Sequence, residues 1–243
     1  MANHKLLFGH VIKWEGGHGA DPNDTALKNC GHSGMVGYDK KWPKLPVHTS
    51  HGVTWCTWNE YHRMKGLKAT GERFIQMPKD VWEDIFKTLF WDKIFGDYLN
   101  SQAIAENFFD AIWGSGPGGA AKNIRAVQRF LISKGYKIKD DGAMGMNTVK
   151  ALNAYANTKT KELEVVNVQL KERKEFYDAL AKQGYQWAKF YNGWMNRLND
   201  LYARSTELIN SSGGKIIGGV LLAGIAGYIA YRLAGSPAIK IFS

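Results

Sequence analysis

The chain is poor in cysteine, with two among 243 residues, and it carries no acidic residue after position 212. So few cysteines exclude a small scaffold stapled by disulfides. Low-complexity segments and internal repeats are absent too, and 44% hydrophobic residues exclude a disordered tail. The amino terminus lacks the continuous apolar segment of a secretory signal, because His10, Lys13 and Glu15 interrupt its amphipathic stretch. What the chain has in excess is positive charge, with 32 Lys and Arg against 22 Asp and Glu for a formal +10. Lys215, Arg232 and Lys240 lie past residue 212, which leaves 29 bases and 22 acids, or +7, before it.

Those last bases flank an uncharged run that begins Ile216-Ile217-Gly218-Gly219-Val220-Leu221-Leu222 and continues to Tyr231. Sixteen residues rise roughly 24 Å as a helix, and snorkelling of Arg232 extends the span toward the ~30 Å of a bilayer core. A transmembrane helix is therefore expected over 216–235, after a linker at 210–215 and before a short tail at 236–243. A buried core helix is the alternative. Gly219, Ala223 and Gly227 recur every four residues, a face that permits close packing and self-association as a homo-oligomer. Bases on both sides leave the orientation open.

The rest of the chain reads as mainly α. Leu6, Leu7, His10, Val11 and Trp14 have helical spacing over residues 3–14 and deliver Glu15 at the helix end, where Gly16-Gly17 stops it. From His18 to Trp58 the Gly, Pro, Asn, Asp and His content predicts loops and a small hairpin, a stretch long enough to carry function. Helical periodicity then returns near 58–66, 78–92, 100–114, 119–134 and 148–156. Two further helices, about 159–183 and 185–209, separate at Gly184 and are expected to pack as a hairpin.

Trp14-Glu15-Gly16-Gly17, followed nine residues after Glu15 by Asp24, is the sharpest local feature. Glycosidic cleavage needs an acid to protonate the leaving oxygen and, in most enzymes, a second carboxylate to support the developing cation or position water. Later features fall in order: Thr49-Ser50-His51-Gly52-Val53-Thr54, Phe90-Trp91, Phe109-Asp110-Ala111-Ile112, Ala126-Val127-Gln128-Arg129-Phe130-Leu131, Asp141 to Thr148, Arg173-Lys174-Glu175-Phe176-Tyr177, and Gly193-Trp194-Met195-Asn196-Arg197.

Together these motifs make residues 4–200 resemble glycoside hydrolase family one hundred and eight, N-acetylmuramidases of bacteria and phages with a peptidoglycan-binding-like region. The resemblance implies a lysozyme-like helical domain at 1–118 with a loop-rich or small β active-site segment, then a helical peptidoglycan-binding-like region at 119–209. It implies Glu15 as the catalytic acid, Asp24 as the second carboxylate, and Thr49 or Thr54 as the residue that helps hold the attacking water. His51, Trp55 and Trp58 are the candidate substrate contacts. His18 replaces the family's Tyr, Gly114 stands in place of its Asn, and residues 25–48 are inserted.

No cofactor is implied. Cys30, His32, His48, His51 and Cys56 offer zinc-type ligands, but their spacing matches no metal pattern; a Cys30–Cys56 bridge and free side chains are the other readings. The expected partners are peptidoglycan and a membrane, with nucleic acid excluded because acids accompany the bases through the helices. A lytic transglycosylase and a catalytically silent wall-binding membrane protein are the competing functions. The location expected is a phage virion membrane, with a bacterial envelope as the alternative.

Overall fold

The computed structural model of the protein describes residues 1–15, 17–21 and 46–211. Asp24, Cys30, His32 and the expected span at 216–235 lie outside the described residues. Among the described residues, no helix is long and apolar enough to cross a membrane. The described residues form two compact units, one from Ala2 to Tyr98 and one from Leu99 to Ser211.

In the first unit a short 3-10 turn, His4–Leu7, leads into helix α1, Phe8–Trp14. Leu7 and Val11 are fully buried, as the helical spacing predicts, whereas Leu6 of the same expected face is exposed. Phe8 meets Trp82 and Phe86 edge-on at 5.5 and 4.9 Å, which ties α1 to helix α4. A three-stranded antiparallel sheet follows in the order β1 (His18–Gly19), β2 (Thr49–Ser50) and β3 (Val53–Thr54). Helix α2, Trp55–Met64, begins directly after β3. Helix α3, Gly71–Ile75, lies in a stretch without legible periodicity; the Thr70 side chain caps it by accepting from the Arg73 N–H. Helix α4, Lys79–Ile85, starts after Pro78 and continues as a π-helical turn over Phe86–Trp91.

The second unit contains helices α5 (Gln102–Ser133), α6 (Met146–Tyr155), α7 (Lys159–Ala181), α8 (Tyr185–Ala188) and α9 (Tyr191–Ser211). Helices α7 and α9 pack together, as the expected hairpin requires, and both pack on α5. Helix α5 is two arms joined at Gly116, whose φ of 65° and ψ of −175° suit only glycine, with Pro117 just beyond. The arms run along α7 in opposite directions. On the first, the Ile104 carbonyl accepts from Gln169, Asp110 pairs with Arg173, and Ser115 meets Tyr177. On the second, Lys122 lies over the Phe176 ring and Asn123 Nδ2 donates to the Gln169 carbonyl at 2.7 Å. The chain thus turns back at Gly116, inside the gap between the two helices expected at 100–114 and 119–134.

Candidate active site

The end of α1 and the small sheet build the candidate site. Glu15 is the residue at which the chain leaves the helix: its N–H still donates to the Val11 and Ile12 carbonyls at 3.2 Å, while its φ of −93° and ψ of 116° are extended. The side chain is half-buried. Two residues on, the Gly17 carbonyl accepts from the His51 N–H at 2.7 Å, and β1 pairs with β2 in the register His18 with Ser50 and Gly19 with Thr49. Backbone pairing therefore binds the stretch from Gly17 to Gly19 to the strand that carries Thr49 and to the turn after it.

Strand β2 turns into β3 through His51 and Gly52, with φ of 49° and 79°. Positive φ at both central residues is the two-residue hairpin turn whose twist matches the flanking strands. Histidine takes the first position, where its carbonyl accepts from Trp82 Nε1 at 3.0 Å. The ring stays exposed and meets His18 edge-on at 5.5 Å. Desolvation lowers the His51 imidazole below its ordinary pKa, and the His18 ring adds to the depression.

The hairpin register sets Thr49 opposite Thr54, yet the two hydroxyls do different work. Thr54 caps α2: its Oγ1 accepts from the Thr57 N–H at 3.2 Å and lies 3.0 Å from the Thr57 hydroxyl. Thr49 Oγ1 instead contacts His48 Nδ1 at 2.8 Å, a contact unsuspected when His48 is read only as a metal-type residue. Adjacency in sequence is the signal that points to it.

Trp55 and Trp58 correct the sequence expectation. They are 3% and 0% exposed, and each packs against Phe74, with ring centroids 5.2 and 5.7 Å away. No face is open to stack on a sugar, because both lie on the inward side of α2. Of the readings open for the cysteines, the bridge is the one seen at Cys56, which is disulfide-bonded to a partner outside the described residues. Among the described residues, no group of three His, Cys, Asp or Glu is placed to hold a metal ion.

Three of the motifs read separately in the sequence converge in the second unit. Asp110, 1% exposed, takes Arg173 Nη1 at 2.9 Å on one oxygen and Arg197 Nη2 at 2.7 Å on the other. Arg173 also donates to Tyr177, whose ring stacks on Trp194 at 4.8 Å. Burial opposes the Arg173 charge, and Tyr177 and Asp110 outweigh it. A Cβ at Gly114 would lie 3.5 Å from Arg173 Nη2 and 3.7 Å from the Tyr177 hydroxyl, so the position where the family places Asn faces this cluster.

An acid delivered by a helix end to a strand pair bearing hydroxyls suits the cleavage of glycosidic bonds, and sequence comparison agrees: the protein is a glycoside hydrolase, and peptidoglycan is its substrate. Residues 8–116 match the glycosyl hydrolase 108 family, and residues 122–199 match the predicted peptidoglycan domain. The solved structure of SagA from Brucella abortus has the same fold, with a TM-score of 0.55 at 21% identity over 85% of this chain and 95% of SagA. No curated protein matches the chain in sequence.

Proposed function

We propose that the protein is a muramidase that hydrolyses the β-1,4 bond between N-acetylmuramic acid and N-acetylglucosamine. The position of Glu15 carries the reading: it closes α1 two residues before the chain pairs with the Thr49 hairpin, within the segment that matches glycosyl hydrolase 108. Glu15 gives its proton to the glycosidic oxygen as the bond to the anomeric carbon breaks. Water bonds to that carbon and passes its proton to the Asp24 carboxylate, while Thr49 orients the water. The cap that Thr54 makes on α2 supports Thr49 for that task, and His51 contacts the glycan from the turn.

The apolar run at 216–235 supports a membrane anchor, and its Gly219, Ala223 and Gly227 face supports self-association within the bilayer. An anchored wall hydrolase fits a virion enzyme of a membrane-containing phage, with a bacterial envelope protein as the competing arrangement. Protease protection on intact particles and on spheroplasts separates the two.

The deciding experiment is digestion of purified peptidoglycan by the full chain and by Glu15→Gln, with mass spectrometry of the fragments. Glu15→Gln is expected to lose about 10²- to 10⁴-fold in rate. Equal rates would overturn the assignment, and a 1,6-anhydro end would identify a lytic transglycosylase instead.

A further inference from the structure

His48 stands one residue before Thr49 and is 1% exposed. Among the described residues its ring has two polar neighbours: the Asp21 carbonyl oxygen, 3.2 Å from Nε2, and Thr49 Oγ1, 2.8 Å from Nδ1. A carbonyl oxygen can only accept, so Nε2 carries the proton. A neutral imidazole has one N–H, so Nδ1 is bare and the Thr49 hydroxyl donates to it. The backbone fixes this arrangement from both sides. The His48 N–H donates to the Gly19 carbonyl at 3.0 Å, and the His48 carbonyl accepts from the Trp55 N–H at 2.8 Å.

We infer that His48 is a positioning residue that draws the Thr49 hydroxyl proton inward and leaves Oγ1 as an acceptor-only group. A rotating hydroxyl both gives and takes hydrogen bonds. One whose proton is committed to a buried ring only takes them. Water bound there donates a hydrogen to Thr49 and keeps both lone pairs free for the anomeric carbon, where a water that accepted from Thr49 would have one of the two engaged. The Asp21 carbonyl reaches Thr49 through the ring, since it selects the tautomer. This role rests on the proposed Glu15 chemistry.

The test is a double-mutant cycle on the full chain, with kcat and KM measured on soluble peptidoglycan fragments for His48→Leu, His48→Asn, Thr49→Val and His48→Leu/Thr49→Val. His48→Leu is expected to lower kcat about ten- to a hundredfold with little change in KM. His48→Asn, whose Oδ1 can accept the Thr49 proton, recovers most of the rate. The double variant is no slower than Thr49→Val alone, because His48 acts through that hydroxyl. Additive losses, or a fall in folded fraction that accounts for the rate, would overturn the inference. If Glu15→Gln is inactive while His48→Leu is as fast as wild type, only the His48 role falls; if Glu15→Gln stays active, both fall. Nitrogen NMR of the wild-type ring reads the tautomer without any turnover, and a proton on Nδ1 overturns the inference outright.

Discussion

The two units place their important groups by opposite means. In the first, six strand residues and a two-residue turn align Thr49 with Gly19 and Thr54, so backbone hydrogen bonds do the positioning. In the second, charges buried between helices do it, with Asp110 shared by Arg173 and Arg197, and Glu106 taking Arg204 Nη2 at 2.8 Å. A backbone-built site tolerates side-chain replacement without unfolding, so its residues are free to serve chemistry. A charge-built core does not tolerate it, because removal of one partner strands the other without water.

That contrast can be broken by experiment. Asp110→Leu leaves the buried Arg173 and the half-buried Arg197 without their carboxylate and is expected to cost about 3–5 kcal/mol; an unchanged denaturation midpoint would show that the cluster does not hold the helices. Gly116→Ala comes next. Open space surrounds the added methyl group, so backbone strain alone is expected to cost about 1–3 kcal/mol. Thr54→Ala removes the cap of α2 for about 1 kcal/mol and should leave turnover nearly unmoved, whereas Thr49→Val strands the buried His48 nitrogen at a similar cost and lowers turnover as well. Equal losses of turnover at the two positions would erase the distinction between the hydroxyls.

The smallest effect concerns His51. Its folded-state pKa lies below 6.5, so the folded protein resists a proton that the unfolded chain accepts. The stabilisation from the neutral ring is complete above pH 6.5 and is lost as pH falls through the window below it. His51→Asn, which keeps a residue suited to the turn, should flatten that part of the melting-temperature profile.

Long helices were legible because periodicity accumulates over many residues: α7 and both arms of α5 lie close to where their spacing puts them, whereas the single helix expected at 185–209 is divided into α8 and α9. Two-residue strands offer no period to read, and only the Gly, Pro, Asn, Asp and His content from His18 to Trp58 pointed to a hairpin. Glu15 was legible as a helix end because glycines follow it. The convergence of Asp110 with Arg173 and Arg197 was not, since those partners lie 63 and 87 residues away and nothing local encodes the pairing. Trp55 and Trp58 misled because a loop-rich neighbourhood suggests exposure, whereas the helix that starts at Trp55 turns both rings into the core.

The turn-back at Gly116 bears on cooperativity. The glycosyl hydrolase 108 match ends at residue 116 and the peptidoglycan-domain match begins at 122, yet both arms of α5 are fastened to one side chain and backbone of α7, at Gln169. Two segments that are separate in sequence families are thereby made to open together, so amides on the two arms should exchange with solvent as one unit.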